Sequence, residues 1–294
     1  MNFRRISVLL LAAAALYMAG CTKDDAKKNY PSMLPEKKIA KVYEASTTMV
    51  EMKDPVTGEW KEMTSKTNER TLAHEFTWVG NQLESFDDNN RDVFYSFHYD
   101  EHGRVCRIIS DNGYGYSRDL FYGEDGLLYR SEGSVRSNEG KPISIQTHIF
   151  TWADGVLKKV DETTWTNDPV LGESFGTASC TYEWEGGNVI STSRHSEING
   201  SVQDVKYAYE YSDVPNPLQG FVFCMLQEGI IFDYEGIDFL SKNMPLHISS
   251  ETSSFDYSIS GNPVTSFEKQ MSAGTATSPI RTSTKYAMEF EYLQ

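Results

Sequence analysis

Three things are scarce in this chain, and each scarcity excludes a class of function. Basic residues are outnumbered, with 27 Lys and Arg against 42 Asp and Glu and a net charge of -15, so the clustered cationic surface that nucleic acid requires is missing. Only four cysteines occur, with no Cys-x-x-Cys pair, which leaves neither a disulfide scaffold nor a zinc site. Cys106 and Cys180 are expected to stay apart, because they fall on opposite faces of their strands, and Cys224 has no assigned partner. The six histidines stand singly, and the chain has no His-Glu-x-x-His, nucleophile elbow or Gly-rich phosphate loop, so no catalytic residue, metal site or cofactor is assigned. Asp87-Asp88-Asn89-Asn90-Arg91-Asp92 offers oxygen ligands but lacks the Gly and terminal Glu of a calcium loop. A solvated hairpin tip is the expectation there.

Long apolar runs are also absent. The run from Ile6 to Tyr17 falls short of the about 20 residues a spanning helix needs. It follows Arg4 and Arg5 and ends in Met18-Ala19-Gly20-Cys21, a charged segment, a short apolar core and a small-residue cleavage site. These residues resemble the signal of bacterial lipoproteins. The resemblance implies cleavage before Cys21, acylation of that cysteine by chains such as palmitate, and tethering to an envelope membrane without a spanning segment. Thr22-Lys23-Asp24-Asp25 resembles lipoproteins that leave the inner membrane, and also the surface-export signal of Bacteroidetes lipoproteins; an ordinary solvated linker is the alternative. The expected organisation is a signal peptide over 1–20, a lipidated tether over 21–37 with Pro31 and Pro35, and one domain over 38–294. The expected location is the outer membrane, lipid-anchored, on the cell surface or the periplasmic face.

One unit recurs through the rest: an aromatic or aliphatic residue, any residue, Trp or Tyr, a Gly-bearing turn, then Leu or Val. After Trp78, Trp152 and Trp184 come Gly80-Asn81, Asp154-Gly155 and Gly186-Gly187, which suit two-residue turns with positive φ. Tyr99 and Tyr122 precede three-residue loops with Gly103 and Gly126 at the left-handed position. Both lengths set one cross-strand pair: Trp78 with Leu83, Tyr99 with Val105, Tyr122 with Leu128, Trp152 with Leu157 and Trp184 with Val189. A one-residue slip would send every aromatic to the other face. The key aromatics recur at intervals of 21, 23, 30 and 32 residues, as an antiparallel meander of lengthening hairpins would require.

Tyr99-Asp100-Glu101-His102-Gly103-Arg104 resembles the YD-repeat proteins. The cleavage box, the Trp-turn-Leu hairpins and Asn216-Pro217-Leu218 together resemble uncharacterised Bacteroidetes lipoprotein domains with a porin-like fold, over roughly residues 70–294. The resemblance implies a curved or barrel-like antiparallel sheet and carries no known activity. A membrane barrel needs an unbroken lipid-facing apolar band, whereas charges fall on both faces here, with Glu75 and Glu84 on one and Arg107, Arg130 and Lys159 on the other. The expected fold is therefore all-β, a curved sheet or a water-soluble barrel.

Regular alternation beyond each turn sets Phe97 opposite Arg107, Leu120 opposite Arg130 and Phe150 opposite Lys159. On that register Trp78, Tyr99, Tyr122, Trp152 and Trp184 share a candidate ligand-facing surface with Arg107, Arg130 and Lys159. That surface would bind an anionic group; cation-aromatic packing is the structural alternative. Leu226, Ile230, Ile231, Tyr234, Ile237 and Leu240 recur at mostly helical spacing, so a short helical plug or lid is expected near 225–240. With 37 aromatic residues (5 Trp, 17 Tyr, 15 Phe) and no catalytic constellation, a non-catalytic binding or structural accessory module comes first, with a glycan or an envelope protein as partner. The second reading is an envelope hydrolase acting on glycans, with carboxylates assembled by the fold.

Overall fold

The structure is a computed structural model that describes residues 34–111, 115–137, 140–168, 172–220, 240–251, 253–273 and 279–293. Within them the chain forms sixteen strands: β1 (Ile39–Lys53), β2 (Trp60–Val79), β3 (Gln82–Asp88), β4 (Val93–Tyr99), β5 (Val105–Asp111), β6 (Gly115–Tyr122), β7 (Leu128–Arg136), β8 (Pro142–Ala153), β9 (Val156–Asp168), β10 (Gly172–Glu185), β11 (Asn188–Ile198), β12 (Ser201–Pro215), β13 (Asn243–Ser249), β14 (Ser253–Ser260), β15 (Ser266–Ala273) and β16 (Ile280–Tyr292). Each pairs antiparallel with its sequence neighbour, and β16 pairs with β1. The sheet is a closed barrel, so no edge is left to template aggregation.

The expected helical plug or lid is corrected. No helical element occurs among the described residues, and 221–239, which carry most of that segment, lie outside them. What the structure shows there is its two roots. Asn216 and Lys242 are joined by a backbone hydrogen bond of 2.9 Å, and Leu218, Leu240 and Ser241 are buried. Ser241 Oγ lies 2.8 Å from the Tyr211 hydroxyl and accepts from the Val189 amide at 3.1 Å.

All five expected cross-strand pairs are present: Trp78–Leu83, Tyr99–Val105, Tyr122–Leu128, Trp152–Leu157 and Trp184–Val189. Immediately beyond each pair the register shifts by one residue, a β-bulge. Phe97 therefore opposes Ile108, Leu120 opposes Ser131 and Phe150 opposes Val160. The bulge explains a spacing that strict alternation cannot, since Leu83 and Phe86, Val105 and Ile108, and Leu157 and Val160 are each three apart yet all buried or packed on the core.

The inner face carries the core. At the end holding these turns and the starts of β1 and β3, Leu83, Val105, Leu128, Leu157 and Val189 form one buried tier, with Phe76, Phe86, Phe97, Ile108, Leu120, Phe150 and Tyr182 beneath it. The key aromatics then stitch the strands together. Trp78 Nε1 donates to Ile39 O at 2.8 Å, the Tyr99 hydroxyl to Leu83 O at 2.8 Å, and the Tyr122 hydroxyl to Val105 O at 2.6 Å. Trp152, Trp184, Tyr211 and Tyr292 donate likewise to the carbonyls of Leu128, Leu157, Val189 and Val264, at 2.5 to 2.7 Å. Six of these seven bonds cross from an even strand to the odd strand before it, and the Tyr292 bond reaches the turn before β15, so alternating pairs and clasps run around this end. An aromatic ring with one polar tip serves this position because it fills the core and still satisfies a carbonyl.

The outer face is polar. Over β11–β16 the outward positions include Ser193, His195, Glu197, Lys206, Asp204, Asp256, Glu268, Lys285 and Glu289. Ion pairs span it, among them Arg281–Glu51 at 2.5 Å, Lys285–Glu268 at 2.7 Å and Arg70–Glu289 at 2.9 Å. Exposed apolar side chains are scattered among them, including Phe94 on β4, Ile109 on β5, Ile145 and Ile149 on β8, Phe175 on β10 and Val202 on β12. The outward positions thus mix charges and hydroxyls with scattered apolar side chains, unlike the continuous apolar band of a membrane barrel.

Candidate functional site

The bulges decide where the sequence-predicted site residues lie. Arg107, Arg130 and Lys159 pair with His98, Phe121 and Thr151, so they stand on the outer wall, opposite to the face of Trp78, Tyr99, Tyr122, Trp152 and Trp184. The single surface expected from regular alternation is thus corrected. On the wall, Arg107 meets Asp119 at 3.5 Å, Lys159 meets Asp161 at 2.7 Å, and Arg130 contacts Glu132 and the Phe121 ring. The five aromatics are half-buried, and each uses its polar tip on a backbone carbonyl. Cys106 and Cys180 form no disulfide, and Cys21 and Cys224 lie outside the described residues.

Stepping inward along the lumen from the aromatic tiers, the lining changes character. Two residues before Leu120 is Arg118, two before Phe150 is His148, and two after Val160 is Glu162. Arg118 is only 1% exposed. Its Nε donates to the Tyr116 hydroxyl at 2.8 Å, its Nη1 to Ser131 Oγ at 2.9 Å and to His148 Nδ1 at 2.8 Å, and its Nη2 to Gln146 Oε1. A guanidinium cannot accept, so Nδ1 of His148 is the acceptor and Nε2–H points toward Glu162 Oε2, 3.7 Å away. Glu162 Oε1 accepts from Gln146 Nε2 at 2.7 Å and from Thr164 Oγ1 at 2.9 Å. Opposite Arg118 on β7 is Gly133, where a Cβ would stand 2.7 Å from a guanidinium nitrogen. Only glycine leaves that side of the cation open.

The titration behaviour follows from this packing. Burial first, and then the Arg118 charge, push the His148 pKa down against the pull of Glu162, so the ring is neutral at pH 7. Burial opposes the charge of Glu162, but the facing His148 N–H and the hydrogen bonds from Gln146 and Thr164 outweigh it and hold the carboxyl well below its usual range. The cluster therefore carries one cation and one anion linked through neutral groups, the form in which buried charge is tolerated.

Above this network a cavity of about 440 Å³ opens along the lumen, lined by Gln146, Glu162, Thr164, Thr166, Ser174, Gly176, Ala178, Arg194, Ser196, Gln203 and Tyr207 among others. The sequence reading did not single out these residues. Even-numbered steps back from Trp152 and Trp184 reach Gln146 and Ala178, but on β9 and β11 only the unrecognised bulge brings Glu162 and Arg194 to the inner face. Among the described residues lining the cavity, Glu162 is the one carboxylate.

A second polar cluster lies elsewhere on the inner face. His74 Nε2 is 3.2 Å from Glu44 Oε1, and buried Asp88 lies 3.7 Å from His74 Nδ1. Burial raises the Asp88 pKa against the pull of His74 and Arg91. No group of three or more His, Cys, Asp or Glu placed to hold a metal ion occurs among the described residues.

No protein family matches this chain, and no curated protein does. Among the solved structures that match are the following two. One is a porin-like protein from Bacteroides uniformis ATCC 8492, at 9% identity over 84% of this chain and 97% of that one, with a TM-score of 0.27. The other is Pseudomonas aeruginosa OpdQ, at 9% identity over 87% and 98%, with a TM-score of 0.31. The barrel itself is established by its strand pairing, which closes on β1 and β16.

Proposed function

We propose that this chain is an outer-membrane lipoprotein, tethered through Cys21, whose water-facing barrel binds a small polar molecule in its lumen as a non-catalytic accessory module. The observation that carries the reading is the contrast along one lumen. At one end it is packed with aromatic and aliphatic side chains, and beyond the Arg118–His148–Glu162 network it holds a polar cavity of about 440 Å³, within the size range of small-molecule sites. A packed tier argues for a binding cup rather than a channel. The anchor rests on Met18-Ala19-Gly20-Cys21 and the polar segment after it.

The hydrolase alternative finds little support in the cavity. Glycoside hydrolysis generally needs two carboxyl groups, one kept protonated as the acid, whereas Glu162 stands alone among the described lining residues and its surroundings keep it ionised. The test is a thermal-shift screen of the full chain against sugars, short peptides and organic acids, repeated with Ala178→Leu, which fills the cavity. The proposal expects at least one class to raise the unfolding midpoint, with the rise abolished in the variant. No stabilising class, or one that stabilises both proteins equally, would overturn it.

A further inference from the structure

We infer that the lumenal cavity takes a neutral saccharide, laid along a groove of small residues on β10; this rests on the lumenal-binding reading above. The inner face of β10 changes abruptly in size. Trp184 and Tyr182 fill the tiers at the packed end, and the next inward positions are Cys180, Ala178, Gly176 and Ser174. Four small residues in succession leave a trough between β9 and β11, and the cavity occupies it. A Cβ at Gly176 would come within 3.2 Å of Ile198 on the neighbouring strand, so that side chain sits close against the glycine there.

The chemistry along its flanks is that of uncharged hydroxyl recognition. Thr164, Thr166 and Ser174 line one side, Ser196 and Gln203 the other, and the Tyr207 ring stands beside Tyr209 at a centroid distance of 6.4 Å. Hydroxyls and amides both donate and accept, as a sugar hydroxyl does, and a tyrosine ring offers an apolar platform for a pyranose face. One anion, Glu162, and one cation, Arg194, line the cavity, and the carboxylate already belongs to the buried network with His148 and Arg118. One Glu162 oxygen is already taken by Gln146 and Thr164. A neutral polyol meets donors and acceptors throughout this lining.

The experiment is isothermal titration of the full chain, in a detergent without a sugar head group, with neutral di- and trisaccharides, the matching uronic-acid sugars and short peptides. Each titration is repeated on Ala178→Leu and Gln203→Leu, whose unfolding midpoints report that they fold. The expected result is saturable binding of a neutral saccharide, at least tenfold weaker binding of its uronic-acid partner, and a loss of tenfold or more in each folded variant. Binding of only acids or peptides, abolished by Ala178→Leu, would overturn the saccharide while leaving the lumenal site in place. Saccharide binding that neither variant weakens would place the site elsewhere and overturn the inference. Silence from every class would overturn both the inference and the binding reading.

Discussion

Tyr99 shows what one aromatic does in this wall. Its ring belongs to the packed end of the lumen, and its hydroxyl donates to Leu83 O at 2.8 Å. Burial, working against that hydrogen bond, raises the phenol from 10.0 to about 12. Tyr99→Phe keeps the ring and removes one neutral hydrogen bond, so a loss of about 0.5–1.5 kcal/mol is expected at pH 7 by denaturant unfolding. The sign of the pH effect follows from the raised value. The folded state favours the neutral phenol, so the stability Tyr99 contributes is intact below pH 10.0 and is lost as pH rises toward about 12. Tyr99→Phe lacks that alkaline loss, and the two stability curves should converge over this window. Parallel curves would mean that the phenol is not held neutral by the fold.

At the scale of the hairpin, the turn and the bulge act together. Glycine at a positive φ, as at Gly103 with φ 75°, sets the Tyr99–Val105 pair, and the extra residue Cys106 then turns Arg107 out and Ile108 in. Removing Cys106 takes away the bulge but keeps Val105, Arg107 and Ile108 on their present faces. That deletion should therefore retain a single cooperative thermal transition. Deleting Ser96, in the regular part of β4, reverses the faces of the residues before it, including buried Tyr95, and should abolish the transition.

The same comparison shows what the sequence made legible. Turn dipeptides and the residues flanking them fix the first cross-strand pair locally, so Trp78–Leu83 and its four counterparts could be read directly. The bulge leaves no turn residue behind. Its trace is a spacing of three between inward side chains, Leu83 to Phe86 or Leu157 to Val160, and regular alternation overlooks it. The error carried Arg107, Arg130 and Lys159 into the lumen and concealed Glu162 and Arg194. His148 looked solitary because its partners come from other strands: Glu162 from β9, which pairs with β8, and Arg118 from β6, reaching across β7 at Gly133. Closure was likewise beyond local pattern, because it depends on β1 meeting β16 across 236 residues, as in the contact of Thr48 with Thr284.

For the whole molecule, the proposal turns on whether the outer wall faces water or lipid. Outward Thr151, Ser193 and Lys285 are exposed among hydroxyls and ion pairs, and their inward neighbours Phe150, Thr192 and Thr284 are buried. The most direct measurement places single cysteines at Thr151, Ser193, Lys285 and, within the lumen, Ala178, in a chain whose Cys106, Cys180 and Cys224 are serine. The membrane-anchored protein is then treated with a small, charged thiol reagent. Modification of all four cysteines is expected, because the outer wall faces water and the cavity is open to small polar molecules. Protection of the three wall positions with modification of Ala178→Cys would describe a lipid-embedded, water-filled barrel, and would contradict the account.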